Sequence, residues 1–156
     1  IEYQGTFPLP EAQMDRFILS LSLGYPTEEE ELQMLERHQE GLVVSELEPC
    51  ISTEDILELR RLCDRVKVDK SLQQYILNLV RASRTTEDVT LGVSPRGAVA
   101  LQRTTQALAF LEGRDYAIPD DVKFLAPHVL AHRLIPAGGR RAKPIVEQLL
   151  RSVPIP

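Results

Sequence analysis

An arginine stands where a helix is expected to begin. The stretch 91–113 predicts a helix, because Ser94 can cap it and Pro95 suits its first turn. Arg96 then lies among unpaired backbone N–H groups at the positive end of the helix dipole, where a cation is unfavourable unless an anion is near. The position therefore favours a phosphate partner for Arg96. The alternative is a surface pair with an acidic neighbour such as Asp88.

A second arginine, Arg16, lies at the junction of two elements. Pro10 and Glu11 predict the start of a short helix, and the side chains of residues 17–23 alternate as those of a β-strand do. An arginine between a helix and a strand lies at the edge of a sheet, from which it can project toward a neighbouring subunit. The alternative is a salt bridge with Glu11 or Asp15.

Two other patterns look like functional motifs but lack a required residue. His128 and His132 share a helical face as zinc-binding histidines do, but Val129 stands where a metalloprotease helix has glutamate, and no third ligand is apparent. Residues 92–97 have the glycine spacing of a phosphate-binding loop, but the pair 98–99 is Ala-Val instead of Lys-Ser/Thr. The sequence therefore predicts neither a metal site nor a P-loop.

Capping residues and apolar spacing predict a mainly α-helical bundle around the Arg96 helix, which is expected to be central and largely buried. Further helices are expected over residues 28–40, from 53 to about 66, from 69 to about 84, from 119 to about 132 and over 144–153. The segments 41–51, 85–93 and 136–143 are predicted as a connecting arm, a polar loop and a basic loop. The strand at 17–23 needs a sheet to join, which favours the interpretation that the chain is a fragment of a longer polypeptide.

Composition narrows the class of protein. The formal net charge of the 156 residues is −5, and no basic run is dense enough to predict nucleic-acid binding. No window is apolar for long enough to predict a membrane span, and no secretory leader is recognised. Cys50 and Cys63 are too few and too far apart for a disulfide framework or a Cys-x-x-Cys site, which favours a cytoplasmic protein.

Two blocks of sequence carry a family resemblance. The first is PLPEAQMDRF, followed by GYP and a glutamate-rich helix, and the second is VSPRGAVALQRTTQALAFLEGRDYAIPDDVKFLAPHVLAHRL. Together they resemble the C-terminal part of MoxR-family AAA+ ATPases over nearly the whole chain. The resemblance implies the end of an α/β P-loop NTPase core in residues 1–24, with one strand, and an all-α AAA+ lid domain in residues 25–156.

The resemblance also implies roles for individual residues. Arg16, in the motif Met-Asp-Arg-Phe, matches the arginine finger that acts in trans on ATP bound to an adjacent subunit. Arg96, in Ser-Pro-Arg, matches the sensor-2 arginine of the lid, and Tyr25 is a candidate for the wall of the adenine pocket. The resemblance implies ATP with Mg²⁺ in the full-length protein, held by motifs upstream of this chain, and no cofactor bound to this fragment alone. Catalysis by such arginines is mostly positioning and charge stabilisation.

The function implied is a ring ATPase, expected to be hexameric, that couples ATP hydrolysis to chaperone-like remodelling of protein clients. Proteins with von Willebrand A domains are the implied partners, and the fragment alone should not hydrolyse ATP. The alternatives are a nucleotide-independent helical adaptor and a related ring ATPase, such as a magnesium-chelatase small subunit or a replicative-helicase-like motor. Whether Arg96 serves its own or a neighbouring nucleotide stays open.

Two positions depart from the family pattern. Ile118 replaces the Thr or Ser that usually precedes the Pro-Asp-Asp helix, which predicts the loss of a helix cap worth about 1 kcal/mol. The loop 137–143 is more basic than in the family, and its effect on the last helix is left open.

Overall fold

In the computed structural model, residues 9–41 and 47–156 are described, and they form two compact units. One unit contains the described residues 9–20 together with 61–156, and the other contains the described part of 21–60. The described residues form seven α-helices and two short β-strands, which confirms the expected mainly α-helical fold. The elements are α1 (Glu11–Met14), α2 (Glu28–Glu40), α3 (Thr53–Cys63), α4 (Lys70–Thr85), β1 (Val89–Leu91), α5 (Pro95–Leu111), α6 (Pro119–Leu130), β2 (Ile135–Pro136) and α7 (Ala142–Ser152).

Helix α5 lies at the centre of the first unit and contacts α4 and α6. Ser94 caps it by accepting a hydrogen bond from the Gly97 N–H at 3.4 Å, and Pro95 is its first residue, as the sequence predicts. Its buried face includes Leu101 and Thr104, whereas Leu111 at the last turn is 81% exposed. The expected apolar stripe is therefore confirmed for most of the helix and wrong at its end.

One hydrophobic core holds α4 to α7 together. Each helix contributes residues at three-to-four spacing, which places them on one face. The largest fully buried side chains of this core are Tyr75 and Leu79 from α4, Leu101 from α5, Leu130 from α6 and Val146 from α7. This packing fixes the position of the first turn of α5.

The strands differ from the expected ones. β1 pairs antiparallel with β2, with Val89 opposite Pro136 and Leu91 opposite Ile135, inside segments predicted as loops. Residues 17–23 form no strand in the described structure, because no described strand lies beside them to supply ladder hydrogen bonds, and the expected strand within a larger sheet stays a prediction. The Ser20 N–H donates to the carbonyl of His128 at 2.9 Å, and the carbonyls of Phe17 and Ile18 accept from the side chain of Arg133, so no ladder forms.

The second unit contains α2 and most of α3. Helix α2 begins with the predicted capping box, in which Thr27 and Glu30 each accept a hydrogen bond from the other's backbone N–H. Ser52 caps α3 through the Asp55 N–H at 3.1 Å. None of the residues of α3 is buried, although Val66, in the stretch expected to continue that helix, is buried. Part of the predicted arm, residues 42–46, lies outside the described residues.

Among the described residues, no helix is both long and apolar enough to cross a membrane.

Candidate functional site

Arg96 occupies the first turn of α5, and its side chain is 61% exposed. Its nearest anionic partner is Asp15, whose Oδ2 lies 3.6 Å from Arg96 Nη1. The alternative partner expected from the sequence, Asp88, forms its ion pair with Arg140 instead. A distance of 3.6 Å with a mostly exposed guanidinium is a loose ion pair, so most donors of Arg96 face solvent.

Arg16 follows α1 directly and is exposed. Its backbone N–H donates to the carbonyl of Gln13 at 3.1 Å, which closes the turn at the end of the helix. Neither Glu11 nor Asp15 lies within salt-bridge distance of its guanidinium in the described structure, so the alternative of a local ion pair is wrong. The side chain of Arg16 projects from a turn that other residues must hold in place.

Asp15 joins the two arginine positions. Its carboxylate accepts hydrogen bonds from the Ser94 hydroxyl at 3.0 and 2.9 Å and from Arg133 Nε at 3.1 Å. The carboxylate is largely buried, with 20% of the side chain exposed. Since Asp15 precedes Arg16 and contacts Arg96, the structure brings the two predicted site positions into one cluster within the first unit.

Arg133 is the buried centre of this cluster, with only 2% of its side chain exposed. Its Nη2 donates to the carbonyl oxygens of Asp15 at 3.1 Å and Phe17 at 2.5 Å, and its Nη1 donates to those of Ile18 at 3.3 Å and Val129. Sequence reasoning missed this residue. The available signal was an arginine next to Leu134, at the end of a helix whose apolar residues Val129 and Leu130 predict a buried face, where a cation needs buried partners.

Gly97 gives Arg133 the space that it occupies. A Cβ at position 97 would lie 2.3 Å from Val93 Cγ1 and 3.0 Å from Arg133 Cδ. Real side chains do not tolerate the first distance, so an alanine would displace either the buried valine or the stem of Arg133. The glycine of the Ser-Pro-Arg-Gly sequence thus serves packing in the cluster.

His132 lies against the same backbone. Its Nε2 is 2.9 Å from the Phe17 carbonyl oxygen and 2.7 Å from Arg133 Nη1. The contact with Phe17 requires a protonated Nε2 that donates, whereas the contact with Arg133 requires an unprotonated Nε2 that accepts, so the ring makes one of these two hydrogen bonds in a given tautomer. Burial lowers the pKa of His132, and the positive charge of Arg133 lowers it further, while the Phe17 carbonyl opposes them. Among the described residues, no group of three or more potential ligands could hold a metal ion.

The segment 92–97, which has the glycine spacing of a phosphate-binding loop, packs against α4. The N–H of Val93 donates to Ser83 Oγ at 3.0 Å, and the carbonyl of Val93 accepts from Arg84 Nε at 2.8 Å. A Cβ at Gly92 would lie 2.7 Å from the Ser83 carbonyl oxygen. Since the Val93 N–H is already bonded, the segment cannot cradle a phosphate as a P-loop does.

A cavity of about 860 Å³ opens beside the cluster. Asp15, Ser94 and Arg133 line it together with apolar side chains of α1 and of β1, among them Met14 and Leu91. Its polar lining includes the groups bonded around Asp15 and, in addition, Glu11, Arg84 and Thr90. The third predicted site residue, Tyr25, lies in the second unit and is 92% exposed.

The chemistry of the cluster suits an anion with several oxygens. Arg96 offers a planar set of N–H donors that match the oxygens of a phosphate, and it stands at a helix N-terminus, where negative charge is favoured. Beside Arg96, the carboxylate of Asp15 forms a buried ion pair with Arg133 and accepts a hydrogen bond from the Ser94 hydroxyl. The described residues therefore fit phosphate recognition by Arg96, and they supply no ligand set for Mg²⁺.

Comparisons with known proteins extend this picture. Residues 81–151 match the family described as AAA lid domain. The chain is 44% identical along its whole length to "Uncharacterized protein YeaC" of Bacillus subtilis and 34% identical to "Chaperone MoxR1" of Mycobacterium tuberculosis, and it covers 50% and 45% of those proteins. A crystal structure of a protein proposed to be an ATPase, from Cytophaga hutchinsonii, aligns with all of this chain at a TM-score of 0.89 and 35% identity, and 52% of that protein is covered. The chain thus spans about half the length of the relatives that it matches.

Proposed function

Because the chain resembles the C-terminal part of MoxR-family AAA+ ATPases along its whole length, and residues 81–151 match an AAA lid domain, we propose that it is the lid-containing part of an ATPase. In the full-length protein, ATP binding and hydrolysis drive chaperone-like remodelling of protein clients. The fragment by itself does not hydrolyse ATP, since the phosphate-binding loop and the residues for Mg²⁺ belong to the part of the protein upstream of it.

The observation that carries this proposal is the position of Arg96. The residue stands in the first turn of α5 with a mostly exposed guanidinium, and Asp15 at 3.6 Å is a weak partner for it. A cation at the positive end of a helix is stabilised by an anion placed between them. The sensor-2 role supplies that anion, because the γ-phosphate of ATP would accept hydrogen bonds from Arg96.

Arg16 has the complementary role in this proposal. It is exposed and projects from the turn after α1, so it is free to reach a nucleotide on an adjacent subunit. A guanidinium supplied in trans stabilises the charge that develops on the transferred phosphoryl group, and such a contact is worth about 10³ to 10⁵ in rate. Tyr25 is proposed to contact the adenine ring.

The assembly and partners follow from the same role. A finger that acts in trans requires a closed ring of subunits, and a hexamer in the cytoplasm is proposed. Proteins with von Willebrand A domains are the proposed clients. A related ring ATPase with a different client would use the same two arginines, so identification of the client separates these possibilities.

Single Arg16→Ala and Arg96→Ala variants of the full-length protein test the proposed roles. Arg16→Ala is expected to lower kcat for ATP about 10³-fold or more, because the charge on the transferred group loses its donor. Arg96→Ala is expected to lower turnover at least about tenfold, since a hydrogen bond to a charged group contributes about 1.5–3 kcal/mol. Turnover is measured on assembled rings at saturating ATP.

Arg151→Ala provides the matched control, because Arg151 is 80% exposed and pairs only with Glu147 one turn away at 3.7 Å. Its turnover should equal that of the parent protein. If both site variants also keep the parent rate, the assigned roles are wrong. If the full-length protein lacks a Gly-x4-Gly-Lys-Ser/Thr motif and does not bind ATP, the proposed ATPase function is wrong and the function of a nucleotide-independent adaptor replaces it.

Mixed rings test whether Arg16 acts in trans. Arg16→Ala subunits are combined with subunits in which the phosphate-binding lysine of the upstream P-loop is replaced. Each variant alone is inactive in this scheme, but an Arg16→Ala subunit beside a subunit with an intact Arg16 regains a complete site. Recovered turnover on mixing supports action in trans, and no recovery would assign Arg16 to its own nucleotide.

A further inference from the structure

We propose that Arg133 is a positioning residue for Arg16, which holds the arginine finger through Asp15 and through the backbone on both sides of it. The inference rests on the proposed function of Arg16. It adds a residue of the short turn that directly follows α6 to the catalytic arrangement of the neighbouring subunit.

The contacts of Arg133 enclose the position of Arg16. Arg133 Nη2 binds the carbonyl oxygen of Asp15, before Arg16, at 3.1 Å and that of Phe17, after it, at 2.5 Å. Arg133 Nη1 reaches the carbonyl oxygen of Ile18 at 3.3 Å. The same guanidinium binds the Asp15 carboxylate through Nε at 3.1 Å. The backbone from which Arg16 projects is thus fixed at three carbonyl groups and one side chain.

The segment that carries Arg16 has little else to hold it. Helix α1 has only four residues and none of them is buried. A helix of that length is not stable by itself. The other described contacts of the segment are the Ser94–Asp15 bond, the loose Arg96–Asp15 ion pair, the His132 ring and the Ser20 N–H, with a partly buried Leu19 against the core. The direction of Arg16 therefore depends mainly on Arg133.

The arrangement requires arginine at this position. A guanidinium offers five N–H donors in a fixed plane, and Arg133 directs them at Asp15, at three carbonyls beside Arg16 or near it, and at the Val129 carbonyl of its own helix turn. Lysine has the same charge but only three donors on a flexible stem. A lysine would keep the ion pair with Asp15 and lose the bonds that fix the backbone around Arg16.

Arg133 also allows Arg96 to leave Asp15 and bind a phosphate. The Asp15 carboxylate faces both guanidinium groups, with Oδ1 toward Arg133 and Oδ2 at 3.6 Å from Arg96. When Arg96 turns toward a phosphate, Arg133 and Ser94 continue to compensate the buried carboxylate. Arg96 can therefore exchange the Asp15 carboxylate for a phosphate without leaving Asp15 unpaired.

Arg133→Lys in the full-length protein tests the positioning role. We expect kcat for ATP to fall about 10- to 100-fold, because a displacement of about 1 Å in a catalytic group can cost that much. KM for ATP should stay within about threefold of the parent value, since the subunit's own nucleotide site is intact. The matched control is Arg140→Lys, the same change in an exposed arginine that also pairs with an aspartate, Asp88. It should leave kcat unchanged.

Mixed rings distinguish positioning from a general loss of structure. Arg133→Lys subunits combined with P-loop-deficient subunits should recover turnover as Arg16→Ala subunits do, because the neighbour supplies a correctly held finger. A lid that is merely damaged would disable the subunit's own site and would not recover. Parent-level kcat in Arg133→Lys rings, or no recovery on mixing, overturns the inference while leaving the roles of Arg16 and Arg96 in place.

A second variant covers the case in which Arg133→Lys does not fold. Arg133→Met combined with Asp15→Asn removes both charges, so no uncompensated ion is buried. The folded double variant should show the same fall in kcat and the same recovery on mixing. If the double variant folds with parent-level kcat, or if neither variant folds, Arg133 serves stability alone and the inference is wrong. An inactive parent protein would instead contradict the proposed function.

Discussion

At the scale of single residues, the cluster depends on the balance of charge around one carboxylate. Asp15 is paired with a buried guanidinium and lies near an exposed one, and these two partners differ in what they can do. If Arg133 moved away, the largely buried charge of Asp15 would lose its main partner, whereas Arg96 can turn into solvent at little cost in free energy. The exposed arginine is therefore the one suited to exchange Asp15 for a ligand.

His132 makes the stability of this region depend on pH. Burial lowers its pKa, so the folded state favours the neutral ring more than the unfolded chain does. A lowered pKa means that the unfolded chain binds more protons below about pH 6.5, the ordinary histidine value, and the free energy of unfolding therefore falls as the pH falls through that region. Above it, this contribution is fully present.

We expect His132→Gln to reduce the loss of stability between about pH 7.5 and pH 5, since the titrating group is gone. The measurement is urea unfolding at several pH values. His38→Gln, which changes an exposed histidine of α2, is the matched control and should keep the parent's pH dependence. An unchanged pH dependence in His132→Gln would contradict the buried, neutral state of the ring.

The sequence predicted the exposed arginines and missed the buried one for a physical reason. Arg16 and Arg96 are recognisable because each stands at the end of a local element whose capping residues can be read directly. Arg133 and Asp15 are 118 positions apart, and their contact exists only after α5 and α6 have packed. No local pattern reports such a pair, although an arginine beside the apolar residues that end a helix indicates that a buried partner is needed.

At the scale of elements, caps were predictable and short strands were not. Thr27, Asp69 and Ser94 each cap the helix expected from them. β1 and β2 have three and two residues, too few for an alternating pattern to be recognised. The alternation at 17–23 gives no strand in the described structure, because a strand needs a partner and none is described beside these residues.

The start of α6 offers a test of capping chemistry. Ile118 is its N-cap residue and makes no side-chain cap, so the predicted absence of that bond is confirmed. Asp121 supplies the other half of the capping box by accepting from the Ile118 N–H at 2.9 Å, and it also binds Arg114 at 2.6 and 2.8 Å. The Asp121 N–H donates to the Ile118 carbonyl oxygen at 3.1 Å, and a Thr hydroxyl at position 118 would offer it a second acceptor.

We expect Ile118→Thr to be more stable than Ile118→Val by about 1 kcal/mol, because the two side chains have similar shapes and only threonine can cap. The comparison with valine removes the effect of the lost methylene, which is worth up to about 0.8 kcal/mol when fully buried. Thermal or urea unfolding measures the difference. Equal stability of the two variants would show that a threonine hydroxyl adds nothing to the hydrogen bond that Asp121 already accepts from the N–H of residue 118.

At the scale of the whole molecule, the core is unevenly distributed. The family resemblance drawn from the sequence is confirmed by the comparisons, and the matched AAA lid region, residues 81–151, lies in the unit that contains the buried core. In the second unit, no residue whose burial is described is buried, and α2 exposes Leu32, Met34 and Leu35 by more than half. Buried area is the main source of stability, so the two units should differ strongly in protection.

Hydrogen exchange on the 156-residue chain measures that difference. Amides of α2 should exchange at nearly the rate of an unfolded peptide, because a 13-residue helix without a buried face opens at little cost in free energy. Amides at Leu79, Leu101 and Val129, which are fully buried, should exchange only on opening of the whole core. In the proposed ring of the longer protein, protection of α2 should rise if its apolar side chains are covered there. Equal protection of α2 and α5 in the isolated chain would show that α2 is held by contacts that its exposed surface does not reveal.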